Sequence, residues 1–502
     1  MTGRTRRRPS AAQLRREASK NSAASGMEGG RFRPLSASQT AEIIDGAYEL
    51  LETTGFSEAP DFVKNHICEA GGEVREGRLL FPRELVEPLI TSAPSGFVLC
   101  GREEKHDLDL SGHRVHLGTG GAAPMVIDVD TGEYRRSTLK DLYDAARLVD
   151  SLQHVHFLSR PLVAGDMPDE ETLDVNTAYA CLAGTTKHVA TSASNASTAR
   201  AVADLCFEIA GSPELFVQRP FLSFNVNHVT PPMRMSGDAM EVLLVAAERG
   251  IPAHCNVFSQ VGASTPVNFG ASIAQTLAEA LAGMVFSWVV NPEAKVLCGP
   301  KPMIVDLRTG AMSGGGGEQA LIMAAAAQVA RELGLPNVSI AGASDSKIPD
   351  IQSGSEKALA VVLSAQAGSN LVTQACGMHA GLMGVSFESY LLDNDMLGSV
   401  MSSLRPLDTD DMQLEDIHFA VTEGTGHFLG DEATLVRMNS DFVYPDIADR
   451  TDFQSWEERN RPQQIDLARN EVKRRLIQDP LQLIPSAVDQ QIRAKFDIRL
   501  GL

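Results

Sequence analysis

Short apolar runs alternate with long alanine-rich stretches through the middle of the chain, and this alternation constrains the fold more than any single motif. The runs His154–Leu158, His188–Thr191, Phe221–Val226, Ile251–Phe258, Lys295–Leu297, Asn337–Ala341 and Asn370–Thr373 have the length and the apolar content of buried strands. Between them, Asp174–Cys181, Ser197–Ala210, Met240–Ala247, Ala271–Val285, Gln319–Leu333 and Lys357–Ala367 read as helices. Parallel neighbours need a crossover of about a dozen residues or more, and a helix supplies it. The expected class is therefore α/β, a TIM (β/α)8 barrel, with an open doubly wound sheet as the alternative. Seven strands are identified, and the eighth is not placed.

The flanks read differently. Residues 1–35 carry Arg4, Arg6, Arg7, Arg8, Arg15 and Arg16 among small polar residues and read as a disordered basic tail. Residues 36–135 read as a helical and β-hairpin region, with Ile43, Ile44, Ala47, Leu50 and Leu51 at helical spacing and further helices near Asp61–Ala70 and Pro82–Ser92. His113, Val115 and Leu117, then Met125 and Ile127, alternate with period two around the Asp130-Thr131-Gly132 turn. Ser137 or Thr138 caps a helix whose apolar face is Leu139, Leu142, Tyr143, Ala146, Val149 and Leu152. The barrel is assigned to 136–450. Text after Asp393 reads as acidic loop to Asp411, and 451–502 as a C-terminal helical segment with a helix at Arg459–Ile477.

Forty-four Lys and Arg stand against 64 Asp and Glu, a net charge of −20, which argues against nucleic-acid binding as the main activity. The seven cysteines are scattered without C-x-x-C spacing, which suits reduced thiols in the cytoplasm. The longest apolar run, Ala280 to Val290, is short of the roughly 20 residues a membrane span takes. The N-terminus lacks the apolar stretch of a signal peptide. A cytoplasmic location, with no membrane partner, is expected.

In a barrel the chemistry sits where strands end. Here those ends are polar or glycine-rich: Asn227 and His228; Ser259, Gln260, Gly262 and Ser264; Cys298 and Gly299; Ser344, Asp345, Ser346 and Lys347; Gln374, Cys376 and His379. Gly314, Gly315, Gly316 and Gly317 precede Glu318. No Lys-Ser or Lys-Thr follows, so this is not a P-loop. His254, Cys255, Cys298, Cys376 and His379 raise a catalytic zinc, which needs three protein ligands. Adjacent His254 and Cys255 face opposite ways in a strand, so only one enters a barrel. No metal site is assigned.

At these residues the chain resembles the trimethylamine:corrinoid methyltransferase superfamily. The likeness rests on Asp128–Glu133, Ser137–Leu142, Asp306–Gly310, Gly316-Gly317-Glu318, Ser344–Asp350, Gly426-His427-Phe428-Leu429 and Trp456, and covers roughly residues 36 to 470. The run Gly314–Gly317 is more glycine-rich than the family's usual text. The resemblance implies a TIM barrel and transfer of a methyl group from an amine to the cobalt of a small corrinoid (cobalamin) protein. Founding members carry pyrrolysine, whereas this chain is written in the twenty standard residues, so it resembles the non-pyrrolysine branch, whose members act on quaternary amines such as glycine betaine.

That implication agrees with leaving-group chemistry. A quaternary ammonium releases a neutral tertiary amine, whereas trimethylamine would release an amide anion. Such a site needs a cation-stabilising wall, each aromatic face contributing about 0.5–2 kcal/mol. The candidates are Phe224, Phe258, Phe387 and Tyr390, with Asp345, Glu318 and Glu388 as charges and Gln374 beside them. Carboxylate donors would be Lys347, Asn225, His228 or His379; Asp345, Lys347, Glu318 and His379 are assigned to the catalytic set. The corrinoid, carried by a partner protein or bound transiently, would approach at Gly262, Ser264, Gly314, Gly315, Gly316 and Gly317. A homo-oligomer is expected from the alanine-rich helices. The alternatives are transfer to tetrahydrofolate, a metal-dependent barrel lyase or hydrolase, and a non-catalytic osmolyte-binding barrel.

Overall fold

Eight short parallel strands, each followed by a helix, form the centre of the computed structural model, which describes residues 26–501 apart from 408, 410–413, 425, 480 and 481. The strands are β1 Arg114–Leu117, β2 Phe157–Ser159, β3 His188–Thr191, β4 Leu222–Val226, β5 Ala253–Gln260, β6 Val296–Met303, β7 Val338–Ile340 and β8 Leu371–Thr373. The helices that follow them are α1 Leu139–Asp150, α2 Glu170–Gly184, α3 Ala196–Ala210, α4 Gly237–Arg249, α5 Phe269–Val290, α6 Gly317–Glu332, α7 Ile351–Gln366 and α8 Phe387–Ser403. One ladder runs β2-β3-β4-β5-β6, and β8 pairs with both β7 and β1. Isolated parallel bridges Gly118–Phe157 and Cys298–Asn337 lie at the two seams. Phe157, Leu297, Val338 and Leu371, from four strands, meet in one buried cluster, so the sheet is strongly curled.

The strand missing from the sequence reading is β1. It falls in the region read as helix and hairpin, because a hairpin, Met125–Ile127 with Tyr134–Arg136, intervenes before α1. Its inward residue His116 is polar, which blurs the apolar run. Thr138 does cap α1, in a reciprocal capping box with Asp141.

Helix α5 is long and apolar enough to cross a membrane by length and composition, contrary to the sequence reading, yet 83% of its apolar window is buried. It is apolar all round because it is covered on both sides. The sheet lies on one side, and the helices Ala37–Glu49, Asp61–Glu69 and Arg83–Ser92 lie on the other. Phe62 meets Phe286 edge-on at 6.0 Å.

Two sequence readings are corrected here. Residues 26–35 are not a loose tail: Met27–Glu28 pairs antiparallel with β1, and Gly29 N–H donates to His113 O. Gly29 comes so close to α7 that a Cβ would lie 2.2 Å from Ala365 O. The arginines before residue 26 lie outside the described residues. The stretch read as acidic loop from Asp393 to Asp411 is helix as far as Ser403; its described residues after Leu404 are non-helical, and 408, 410 and 411 lie outside the described residues. Its acids looked solvent-facing, but Asp393 pairs with Lys357, and Asp395 accepts the backbone N–H groups of Asp446, Ile447 and Ala448. The C-terminal segment is helical at Phe453–Glu458, Gln464–Ile477 and Ser486–Lys495.

Candidate active site

Inside the curl, side chains of β2 to β6 stack in polar layers. In the lowest, His188 Nδ1–H donates to Cys100 O, leaving Nε2 to accept from Ser223 Oγ (2.8 Å). Ser223 Oγ in turn accepts from His254 Nε2, at 3.1 Å. Both rings are held neutral, because burial pushes His188 down to about 4 and His254 well below its usual value. One layer up, Asn225 Nδ2 donates to Ser159 Oγ (3.1 Å) and Asn256 Nδ2 to Asn225 Oδ1 (3.3 Å). Asn256 Oδ1 is buried with no hydrogen-bond partner among the described residues. Gly299 makes room for it: a Cβ there would lie 2.5 Å away.

Above that layer the strands reach solvent. Asn225 and Phe258 are partly exposed although their strand neighbours are buried. Lys301 is paired with Phe258 across the β5–β6 ladder, and its Nζ sits 4.9 Å from the ring centroid. The residue is 1% exposed, and among the described residues its ammonium meets no acid and no hydrogen-bond acceptor. Burial pushes its pKa from the ordinary 10.5 down to about 7. Around Phe258 the rim is apolar, formed by Met303, Met312, Ile340, Ala343 and Leu382. This side of the curl thus gathers an aromatic face, thioethers, amides and one amine at partly exposed positions.

Next to it stands a clamp built on Asp345. Its carboxylate accepts from Gly314 N (2.8 Å), Gly315 N (3.3 Å) and Ser313 Oγ (3.3 Å). Burial is the main influence on this group and pushes its pKa up. Glu356 braces the clamp from α7, accepting from Ser344 Oγ and the Asp345 N–H. The predicted glycine cradle is mostly filled by the chain itself. A Cβ on Gly314 would lie 2.5 Å from Ala343 O, and one on Gly315 would lie 2.2 Å from Glu356. Gly262 faces Leu307, and Ser264 Oγ accepts from Gln260 N. Gly317 alone of the run has nothing within 4 Å of an added Cβ, and Gly316 meets only Glu318 and Ser313.

The other sequence candidates lie elsewhere. Phe224 is fully buried and faces the helices, and His228 Nε2–H donates to Glu279 O of α5. His379 Nε2 meets Ser389 Oγ at 2.7 Å, and burial pushes that ring down to about 2. Phe387 stacks on Tyr390 at 6.1 Å, and Tyr390 closes against Gly377. Glu388 accepts from Ser386 Oγ and Arg469 Nε, tying α8 to the C-terminal helix. Lys347 is exposed and donates to Asp345 O; Glu318 is exposed in the first turn of α6. Gln374 holds a positive φ of 57° at the end of β8 and packs on Gly120. Alternation along a strand assigns a face only when its register is known, which is why the sequence brings these positions together with Phe258 and the structure does not.

Sequence reasoning missed Lys301. The sequence reading ends the strand at Leu297, whereas β6 runs on to Met303 through Pro300 and Pro302, residues that disfavour a central strand. The available signal was a lysine in period-two register between buried apolar residues. Among the described residues no three His, Cys, Asp or Glu side chains gather as metal ligands. Cys255 and Cys298 lie in the core. A cavity of about 150 Å³ lies at the far end of the molecule, by the last turn of α1, lined by Arg147, Asp150, Arg475 and Gln478.

A profile of the trimethylamine methyltransferase (MTTB) family matches residues 2–499. The chain belongs to that family. Among its relatives, a glycine betaine methyltransferase of Desulfitobacterium hafniense (strain Y51) is 25% identical over 468 residues, covering 93% of this chain and 96% of the relative. A trimethylamine methyltransferase MttB of Methanosarcina barkeri is 30% identical over 368 residues, covering 72% and 73%. The crystal structure of the Methanosarcina barkeri monomethylamine methyltransferase superposes with a TM-score of 0.51 at 12% identity, covering 93% of this chain and 91% of that one. That likeness shows a shared α/β fold.

Proposed function

We propose that the chain moves a methyl group from a quaternary amine, a betaine, to the Co(I) of a corrinoid carried by a partner protein. The end-to-end match to a glycine betaine methyltransferase carries this reading. The ring of strand pairings from β1 to β8 supports a closed eight-stranded barrel, with Phe258 and Lys301 at its carboxyl end.

The corrinoid supplies a nucleophile strong enough to attack a methyl carbon directly. The bond that breaks is C–N, its electron pair stays on nitrogen, and the tertiary amine leaves neutral. The chain's task is then positioning and exclusion of water, not proton transfer. The apolar rim of Met303, Met312, Ile340, Ala343 and Leu382 suits an N-methyl group. Asp345 fixes the Gly314–Gly315 turn beside that rim, and the open face at Gly317 leaves a flat approach for the macrocycle. The packed glycines Gly314 and Gly315 shape the loop and offer no cradle of their own.

Trimethylamine is the second reading, favoured by the 30% identity to the Methanosarcina barkeri enzyme. Incubating the full chain with Co(I) cobalamin and single methylated amines, and following methylation of cobalt by absorbance, separates the two. A betaine is expected to react. Reaction with trimethylamine alone would overturn the proposal.

A further inference from the structure

Among the described residues three lysines are buried, and two of them are fully answered. Lys187 Nζ donates to the carbonyls of Val149, Leu152 and Val155 at 2.6–2.7 Å. Lys357 Nζ meets Asp393 at 2.7 Å. Lys301 has neither: its neighbour is the partly exposed Phe258 ring, on the side of the curl that the reaction is assigned to. A buried amine without an acceptor is costly to the fold. An anionic partner that arrives with a ligand supplies what the protein withholds.

We propose that Lys301 is the anchor for the substrate's carboxylate and makes the site selective for zwitterionic methylated amines over methylated amines that carry no acid. The inference rests on the reading of the site given above and names the residue that sets its substrate class. In a betaine the acid and the ammonium stand a short aliphatic spacer apart. Holding the acid at Lys301 places the N-methyl groups against Met303, Met312 and Leu382, toward the open end. A cation without an acid would instead face the lysine ammonium directly, so the same residue rejects it by like charge.

The proton state of the amine gives the inference its own readout. The one titratable group coupled to Lys301 among the described residues is His254 on β5, a neutral ring, and the residues packed around Phe258 are apolar. With its pKa near 7, Lys301 is largely neutral at pH 8.5 in the free protein. A carboxylate favours the ammonium, so binding a betaine at pH 8.5 takes up protons.

The experiment is calorimetric titration of the full chain with glycine betaine and with tetramethylammonium, at pH 8.5, in buffers of different ionisation enthalpy. Wild type is expected to favour glycine betaine and to take up a substantial fraction of a proton on binding it. Lys301→Met is expected to cut that preference by about 10- to 100-fold, in line with loss of a charged hydrogen bond; tetramethylammonium, which meets a largely neutral amine in the free protein at this pH, is expected to bind the variant as well or somewhat better. If Lys301→Met retains the wild-type preference, or wild type binds betaine without proton uptake, the anchor is wrong while the methyl-transfer reading stands. If wild type binds no methylated amine, both fall. Proton uptake by wild type needs no variant, so the test survives a variant that fails to fold.

Discussion

Lys301 and Lys357 are both almost completely buried, yet their surroundings differ in kind. Lys357 bonds Asp393, and the same Asp393 oxygen accepts the Gly377 N–H, so the seam between α7, α8 and the end of β8 is closed electrically. Lys301 faces a phenyl ring and an apolar rim with no acid. Buried charge that is answered internally holds a fold together, whereas buried charge left open marks a place where a ligand completes the set. The α8 side is scaffold, and the β4–β5–β6 side is the proposed site.

The comparison breaks most visibly at the lysines themselves. Lys357→Met strands Asp393 as an uncompensated charge and is expected to cost about 3–5 kcal/mol by urea unfolding. Lys301→Met removes an unanswered amine and is expected to leave stability unchanged or higher. Equal losses in the two variants would erase the distinction. The two phenylalanines come next. Phe224→Ala empties a fully buried position facing the helices and is expected to cost roughly 3–5 kcal/mol. Phe258→Ala, at a partly exposed position, is expected to cost less than that and to weaken substrate binding more, as read by unfolding and by KM.

The glycine run offers a smaller contrast. Gly315→Ala drives a methyl group into the Glu356 carboxylate that braces Ser344 and Asp345, and is expected to cost about 1–3 kcal/mol together with activity. Gly317→Ala meets nothing, and is expected to be neutral or to stabilise α6 by up to about 1 kcal/mol. A further contrast is in pH. The folded pKa of Lys301 lies below its unfolded value, so between about 7 and 10.5 the unfolded chain binds more protons and stability rises with pH. Wild type is expected to gain on Lys301→Met across that window, measured by denaturant midpoints at pH 7 and 9.5; a constant difference would contradict it.

Much of the architecture was legible because strand and helix periods differ so sharply. Seven of the eight strands and the six helices between them follow from apolar spacing, and the Thr138 cap from its side-chain chemistry. What escaped had physical causes. β1 carries a histidine inward and is followed by a hairpin. α8 carries acids that read as loop until their partners, distant in sequence, are known. Of the proposed site, the sequence candidates Asn225 and Phe258 stand together at partly exposed positions, with Asp345 nearby. Phe224, His228, His379, Phe387, Glu388 and Tyr390 belong to packing, a distinction that depends on register and tertiary neighbours. Lys301 was hidden by the prolines on either side of it.

The most direct measurement offers the full chain Co(I) cobalamin with equal amounts of unlabelled glycine betaine and fully deuterated trimethylamine, and weighs the methyl group that arrives on cobalt. A light methyl group is the predicted result. A deuterated one would contradict the claim that a nitrogen already bearing positive charge is what this site turns over.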